Sequence, residues 1–184
     1  MTRDKYKDLV NLRIALVVSE LASCARHKVG SVLVDTNGRI LATGRNGTRT
    51  GQRHCSELML SGELRYEDHA AWSKENEVHA EVNAISFCRK YGLETAGTTM
   101  YSTHSPRSDC ADRIIEAGIT RLVYIQRYDD SREIETRLRE RGVDVVAIDA
   151  DINDLRRKLG TSIDLFTTTE VSDGREDGEG EQDL

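Results

Sequence analysis

The stretch TTMYSTHSPRSDCADRIIEAGITRLVYIQ, residues 98–126, reads as strand, turn, helix and strand. Residues 98–103 are rich in β-branched and aromatic side chains, as a strand requires. Pro106, the only proline, marks a strand-to-helix junction. A helix follows through residues 112–116, Gly118 stops it, and residues 121–126 form the next strand. Downstream the alternation continues with a charged helix at 132–141, a strand at 143–148 and a short helix at 152–159. Upstream, a helix is predicted near 77–91, and residues 29–34 and 40–43 pair as strands around the Asn37-Gly38 turn. Before them Leu9, Val10, Leu12, Ile14, Ala15, Leu16, Val17, Val18, Leu21 and Ala22 form a wide helical apolar face. This order predicts an α/β protein whose sheet has helices on both faces. Residues 45–68 are polar and glycine-dotted without a sustained period. So long a stretch inside a compact domain is functional or tied down by something else.

The chain has 184 residues, enough for one domain with a real core. Its aromatic content is 5%, so that core must be mostly aliphatic. Of the net charge of −6, the segment DGREDGEGEQDL at 173–184 contributes −5, leaving about −1 for the rest. The expected organisation is therefore a domain over 1–160 and an acidic, disordered tail over 161–184. A nearly neutral body lacks the basic field of a nucleic-acid track but leaves room for a small nucleotide. The start, MTRDKYKD, does not read as a secretory leader, and the longest apolar run, 14–18, is too short for a membrane span. Four cysteines, Cys24, Cys55, Cys88 and Cys110, are too sparse for a disulfide framework. They read as buried thiols, catalytic thiols or metal ligands in a reducing compartment, the cytoplasm.

His79-Ala80-Glu81 opens one helix, and Pro106 and Cys110 begin another. Zinc deaminases of nucleosides and nucleotides use H-x-E…P-C-x-x-C: one histidine and two cysteines hold Zn²⁺ and leave a place for water. The glutamate moves protons between that water, the base and the leaving amine. A lone H-x-E is most often surface helix. The order of the remaining motifs gives it weight.

Those motifs are Ser23-Cys24-x-Arg26-x-x-Val29-Gly30, Thr43-Gly44-x-Asn46-Gly47, His54-Cys55, His79-Ala80-Glu81-x-Asn83-Ala84-Ile85, Tyr101-x-Thr103-x-x-Pro106, Ala117-Gly118-Ile119 and Val123-Tyr124. Together they resemble the deoxycytidylate (dCMP) deaminase family over residues 8–150. His69-x-x-Trp72-Ser73-x-x-Asn76-Glu77 makes the chain most similar to the bacteriophage branch. The resemblance implies a cytidine-deaminase-like three-layer αβα sandwich with a five-stranded mixed sheet. It implies hydrolysis of dCMP to dUMP and ammonia, with Glu81 catalytic and His79 and Cys110 on a catalytic zinc. Cys24, Cys55, His69 and Glu77 fall at the positions of a second, structural zinc. Asn46 is implied against the deoxyribose, the Ala80 N–H against the cytosine carbonyl, and Arg26, with Tyr128 near it, at the phosphate. Regulation by dCTP and dTTP, a homo-hexamer and, for a phage protein, the host cytoplasm are implied as well. Neither a membrane nor a nucleic-acid partner is expected.

The sequence departs from this family at one position. Where P-C-x-x-C places its first cysteine, Pro106-Arg107-Ser108-Asp109-Cys110 has Arg107. A guanidinium has no lone pair to give and does not deprotonate, so it cannot replace a thiolate. Asp109 is expected to point elsewhere, and Cys88 reads as a core thiol. Two readings stay open: a deaminase, or a catalytically silent nucleotide-binding or oligomer-forming protein on the same fold. In the second, Arg107 fills the vacated metal position, balanced by Glu81 and the Cys110 thiolate.

Overall fold

A computed structural model describes residues 2–128, 131–148 and 150–163. Its helices are α1 (Arg3–Ser19), α2 (Cys55–Leu60), α3 (His69–Asn76), α4 (Ala80–Lys90), α5 (Ser108–Glu116), α6 (Ser131–Glu140) and α7 (Ile152–Ile163). The strands are β1 (Gly30–Val34), β2 (Ile40–Arg45), β3 (Gly47–Thr48), β4 (Glu77–Val78), β5 (Thr99–His104), β6 (Arg121–Gln126) and β7 (Asp144–Ala147). The main sheet runs β2-β1-β5-β6-β7. Its β1 is antiparallel to both β2 and β5, whereas β5, β6 and β7 are mutually parallel. This is the expected three-layer sandwich on a five-stranded mixed sheet.

Period-two alternation sends the residues of one strand to opposite faces. Leu33, Met100, Leu122 and Tyr124 pack with Ala84, Ile85, Ile114 and Leu138 from α4, α5 and α6. Val32, Tyr101, Val123 and Ile125 pack on the other face with Leu12, Ala15 and Leu16 from α1 and Ile152 from α7. Cys88 is fully buried in the first of these layers. On the second, Asp8 of α1 accepts two hydrogen bonds from the Arg121 guanidinium, at 2.7 and 2.9 Å, and one from the Tyr101 hydroxyl at 3.0 Å.

Two glycines let helices lie directly on the sheet. A Cβ at Gly30 would sit 2.0 Å from the Ala15 carbonyl oxygen, and one at Gly44 would sit 2.0 Å from that of Ala80. The second contact holds the start of α4 against β2, next to the pocket described below.

The segment between β2 and α4 is where the structure corrects the sequence reading. Residues 45–68 contain β3 and α2, and residues 77–78 are a strand rather than helix. There Gly47 pairs with Val78 and Thr48 with Glu77, so α4 begins only at Ala80. Helix α7 runs to Ile163, past the expected boundary at 160; the rest of the acidic tail, 164–184, lies outside the described residues. Among the described residues no helix is long and apolar enough to cross a membrane.

Candidate active site and metal centre

One cavity of about 550 Å³ lies beyond the carboxyl ends of β5 and β6, beside antiparallel β1. Ligands of open α/β sheets sit at such ends, and the volume suits a small molecule. Residues 24–29, Asn46, α3, the β4–α4 junction, the β5–α5 junction and Tyr128 supply its wall. All four residues expected at the substrate, Arg26, Asn46, Ala80 and Tyr128, line it, as do His79, Glu81 and Cys110.

Helices α4 and α5 both start at this cavity, with His79 and Arg107 as their N-caps. First-turn N–H groups have no intrahelical partner, so Ala80 offers a donor at the pocket wall. His79 Nδ1 lies 3.0 Å from Cys110 Sγ, and the thiol donates to Glu81 Oε2 at 3.7 Å. Burial pushes the Glu81 carboxyl up to about 7, although its own backbone N–H, the Cys110 contact and the Arg107 charge oppose this. Burial also depresses His79, assisted by the Arg107 charge, and raises the Cys110 thiol. Near neutrality, then, the thiol is protonated and the imidazole neutral, while the Glu81 carboxyl is divided between its protonated and ionised forms.

Arg107 is not where the silent reading placed it. It forms no ion pair with Glu81, and its guanidinium lies over the Tyr128 ring, 4.8 Å from the centroid. Tyr128 in turn stacks on His104 at 5.4 Å. The physical reason is desolvation: a guanidinium beside the buried Glu81 would lose water that it keeps over an aromatic face. A catalytic zinc of this type needs three protein donors and an open position. His79 and Cys110 supply two, and the only group of three or more potential ligands among the described residues lies elsewhere. The residues here do not fit that ion.

The other group is Cys24, Cys55, His69 and Glu77, whose ligand atoms all lie within 4.8 Å of one another. Cys24 Sγ is 3.4 Å from His69 Nε2, which is 3.6 Å from Glu77 Oε1. Bonds of about 2.0–2.3 Å at tetrahedral angles separate zinc donors by about 3.3–3.8 Å, so these spacings suit the ion. Glu77 Oε1 is buried without a hydrogen-bond partner, and the His69 and Glu77 side chains are each 4% exposed. Burial raises Cys24 to about 12 and also raises Cys55. An orphaned carboxylate oxygen and two buried thiols are costly without a cation and well placed with one. Four donors with no open position fit a structural zinc. Around them Leu58, Met59, Leu64 and Trp72 form a small apolar cluster in place of a larger core.

The pocket wall is itself cross-linked. The Asn46 side chain accepts from the Val29 N–H and donates to the His27 carbonyl, each at 2.8 Å, so it holds residues 27–29 in place. Sequence reading placed Asn46 at the sugar; in the structure its amide also ties the wall together. Arg26 stacks over Tyr66 at 4.6 Å, and its buried Nε has no partner. His27 and Lys74 line the cavity and were not singled out from sequence. Each lies at an unspecified position inside a quoted motif, His27 within Arg26-x-x-Val29 and Lys74 within Ser73-x-x-Asn76.

Residues 5–126 match the family model for the cytidine and deoxycytidylate deaminase zinc-binding region. The chain is 35% identical over 167 residues to the deoxycytidylate deaminase of Enterobacteria phage T4, covering 73% of this chain and 86% of that protein. With the deoxycytidylate deaminase of Mycobacterium phage D29 it shares 36% over 117 residues, covering 61% and 89%. The crystal structure of dCMP deaminase from the cyanophage S-TIM5 in complex with dCMP and dUMP is similar at a TM-score of 0.65. Identity there is 30%, and the match covers 80% of this chain and 99% of that one.

Proposed function

Since the chain belongs to the cytidine and deoxycytidylate deaminase family, we propose that its cavity takes dCMP and that the family reaction, hydrolysis to dUMP and ammonia, is the chemistry the site is built for. The observation that carries this is the one cavity that gathers Arg26, Asn46, Ala80 with Glu81, and Tyr128 from four separated parts of the chain. The phosphate meets Arg26, whose unpartnered Nε supplies a charge-assisted donor. The base carbonyl accepts from the Ala80 N–H at the start of α4, where the helix dipole favours an acceptor. Glu81, titrating at about 7, holds a proton beside the base and can pass it to a ring nitrogen or to the departing amine.

With Arg107 in the loop, no step is assigned to a catalytic metal. That favours the second reading for the chain as it stands: dCMP is bound and not turned over at a measurable rate. Structural zinc at Cys24, Cys55, His69 and Glu77 belongs to both readings, as do a homo-oligomer, dCTP or dTTP as effectors, and a cytoplasmic setting. Calorimetry with dCMP, together with ammonia release, tests the proposal. Saturable binding of one dCMP per chain is expected, weakened at least tenfold by Arg26→Ala; absence of binding refutes it. Turnover by the unaltered chain would refute the silent reading alone.

A further inference from the structure

We propose that the Cys24/Cys55/His69/Glu77 cluster is energetically coupled to the cavity, so that Zn²⁺ in the cluster and a nucleoside monophosphate in the cavity each strengthen the other's binding. Glu77 and Cys24 act as the positioning residues. This inference rests on the nucleotide reading above.

The cluster is part of the pocket wall. Cys24, His69 and Glu77 all line the cavity. Two of the ligands, Cys24 and Glu77, also lead within two residues to a group that lines the cavity. Cys24 is two residues before Arg26. Glu77 is two residues before His79 and four before Glu81, with β4 between them.

The remaining connections close a ring. Asn46 binds both the His27 carbonyl and the Val29 N–H, which fixes the segment carrying Cys24 and Arg26. The next residues, Gly47 and Thr48, pair with Val78 and Glu77. The Thr48 hydroxyl is 2.7 Å from Nδ1 of His54, the residue before Cys55. Residues 24–29, Asn46, β3 and β4 thus form an arc around the pocket, and its two ends are the ligands Cys24 and Glu77. Within that arc β3 and β4 are only two residues each, too short to be rigid unaided. The cation closes the arc. It also satisfies Glu77 Oε1, which otherwise lies buried without a hydrogen-bond partner.

A ligand that spans the ring from Arg26 to Glu81 favours the same closed arrangement. Two ligands that favour one arrangement bind cooperatively, and the coupling is necessarily reciprocal. Trp72 is the only tryptophan. Its ring centroid lies 5.9 Å from that of His69, and it packs on the cluster without lining the cavity. Its fluorescence therefore reports metal at the cluster.

The experiment strips the protein of metal with a chelator under reducing conditions and titrates buffered Zn²⁺ with and without saturating dCMP, reading Trp72. The dissociation constant for Zn²⁺ is expected to fall about 5-fold or more with dCMP, and that for dCMP to fall by the same factor with Zn²⁺. Equal Zn²⁺ affinities, with calorimetry showing dCMP bound to the loaded protein, overturn the coupling and leave the nucleotide reading intact. No dCMP binding to the loaded protein overturns that reading and the coupling with it.

If the stripped protein unfolds, the loaded state still decides. With Co²⁺ in the cluster, dCMP is expected to shift the thiolate-to-metal absorption. An unchanged spectrum at saturating dCMP overturns the proposal. Glu77→Gln, which keeps Cys24, Cys55 and His69, is expected to bind metal and lose the dCMP-linked shift. Retention of the full shift overturns the assignment to Glu77.

Discussion

Glu81 is the residue whose burial has the most direct thermodynamic consequence. Its carboxyl rises from 4.5 to about 7 because the side chain is removed from water with little compensating charge. For an acid whose folded value is raised, folded and unfolded states are equally protonated well below pH 4.5, and the group contributes nothing there. As pH climbs from 4.5 to about 7 the unfolded chain ionises first, and the folded state loses stability. Above about 7 both states ionise and the penalty becomes constant, at about 3 kcal/mol. Glu81→Gln is neutral and nearly isosteric, so it removes the penalty. The variant is expected to exceed the parent by about 1 kcal/mol at pH 5 and by about 3 kcal/mol at pH 8. In a domain of this size the latter is a rise in Tm of about 6–12 °C. Urea unfolding of the two proteins across this pH range is the assay. A stability difference that is absent at pH 8, or the same at every pH, would refute the assigned environment of Glu81. A stability gain on neutralising a pocket carboxyl reflects the usual cost of keeping a polar group where it is poorly solvated.

Other parts of the molecule make sharper structural predictions. Asp8→Ala leaves the Arg121 guanidinium with Asp144 alone and takes the carboxylate partner from the Tyr101 hydroxyl under α1, and is expected to cost about 1–3 kcal/mol in urea unfolding. Gly44→Ala drives a methyl into the Ala80 carbonyl; it is expected to cost about 1–3 kcal/mol and to weaken dCMP binding, measured on one preparation by unfolding and calorimetry. Chelation of the structural zinc is expected to expose residues 46–77 to proteolysis first, while far-UV circular dichroism of the sheet persists; mass spectrometry of the early fragments checks this.

The layers of the sandwich were legible because their signals are local. Alternation in residues 98–103 and 121–126, the Asn37-Gly38 turn and the apolar face of α1 each lie within one window, and the observed elements start and stop within a few residues of the reading. Residues 45–78 were not legible in this way. Their order depends on Cys55, His69 and Glu77 meeting Cys24, and on β3 meeting β4 about thirty residues away. No period records such contacts. For the same reason α2, α3 and the strand at Glu77–Val78 emerge only in three dimensions. The four candidate ligands follow from the family resemblance, and the structure brings them together. Arg107 was legible as a loss of a donor but not in its placement. Charge balance suggested Glu81, whereas the cost of desolvating a guanidinium sends it onto Tyr128.

The proposed dCMP pocket has all four candidate ligands of a structural zinc and is one thiolate short at its catalytic zinc site. Zinc content per chain, measured with ammonia release from dCMP on the parent and on Arg107→Cys, tests this most directly. One zinc and no turnover are expected for the parent, and two zincs with ammonia release for the variant. A parent that already holds two zincs and releases ammonia, or a variant that gains neither, would contradict this.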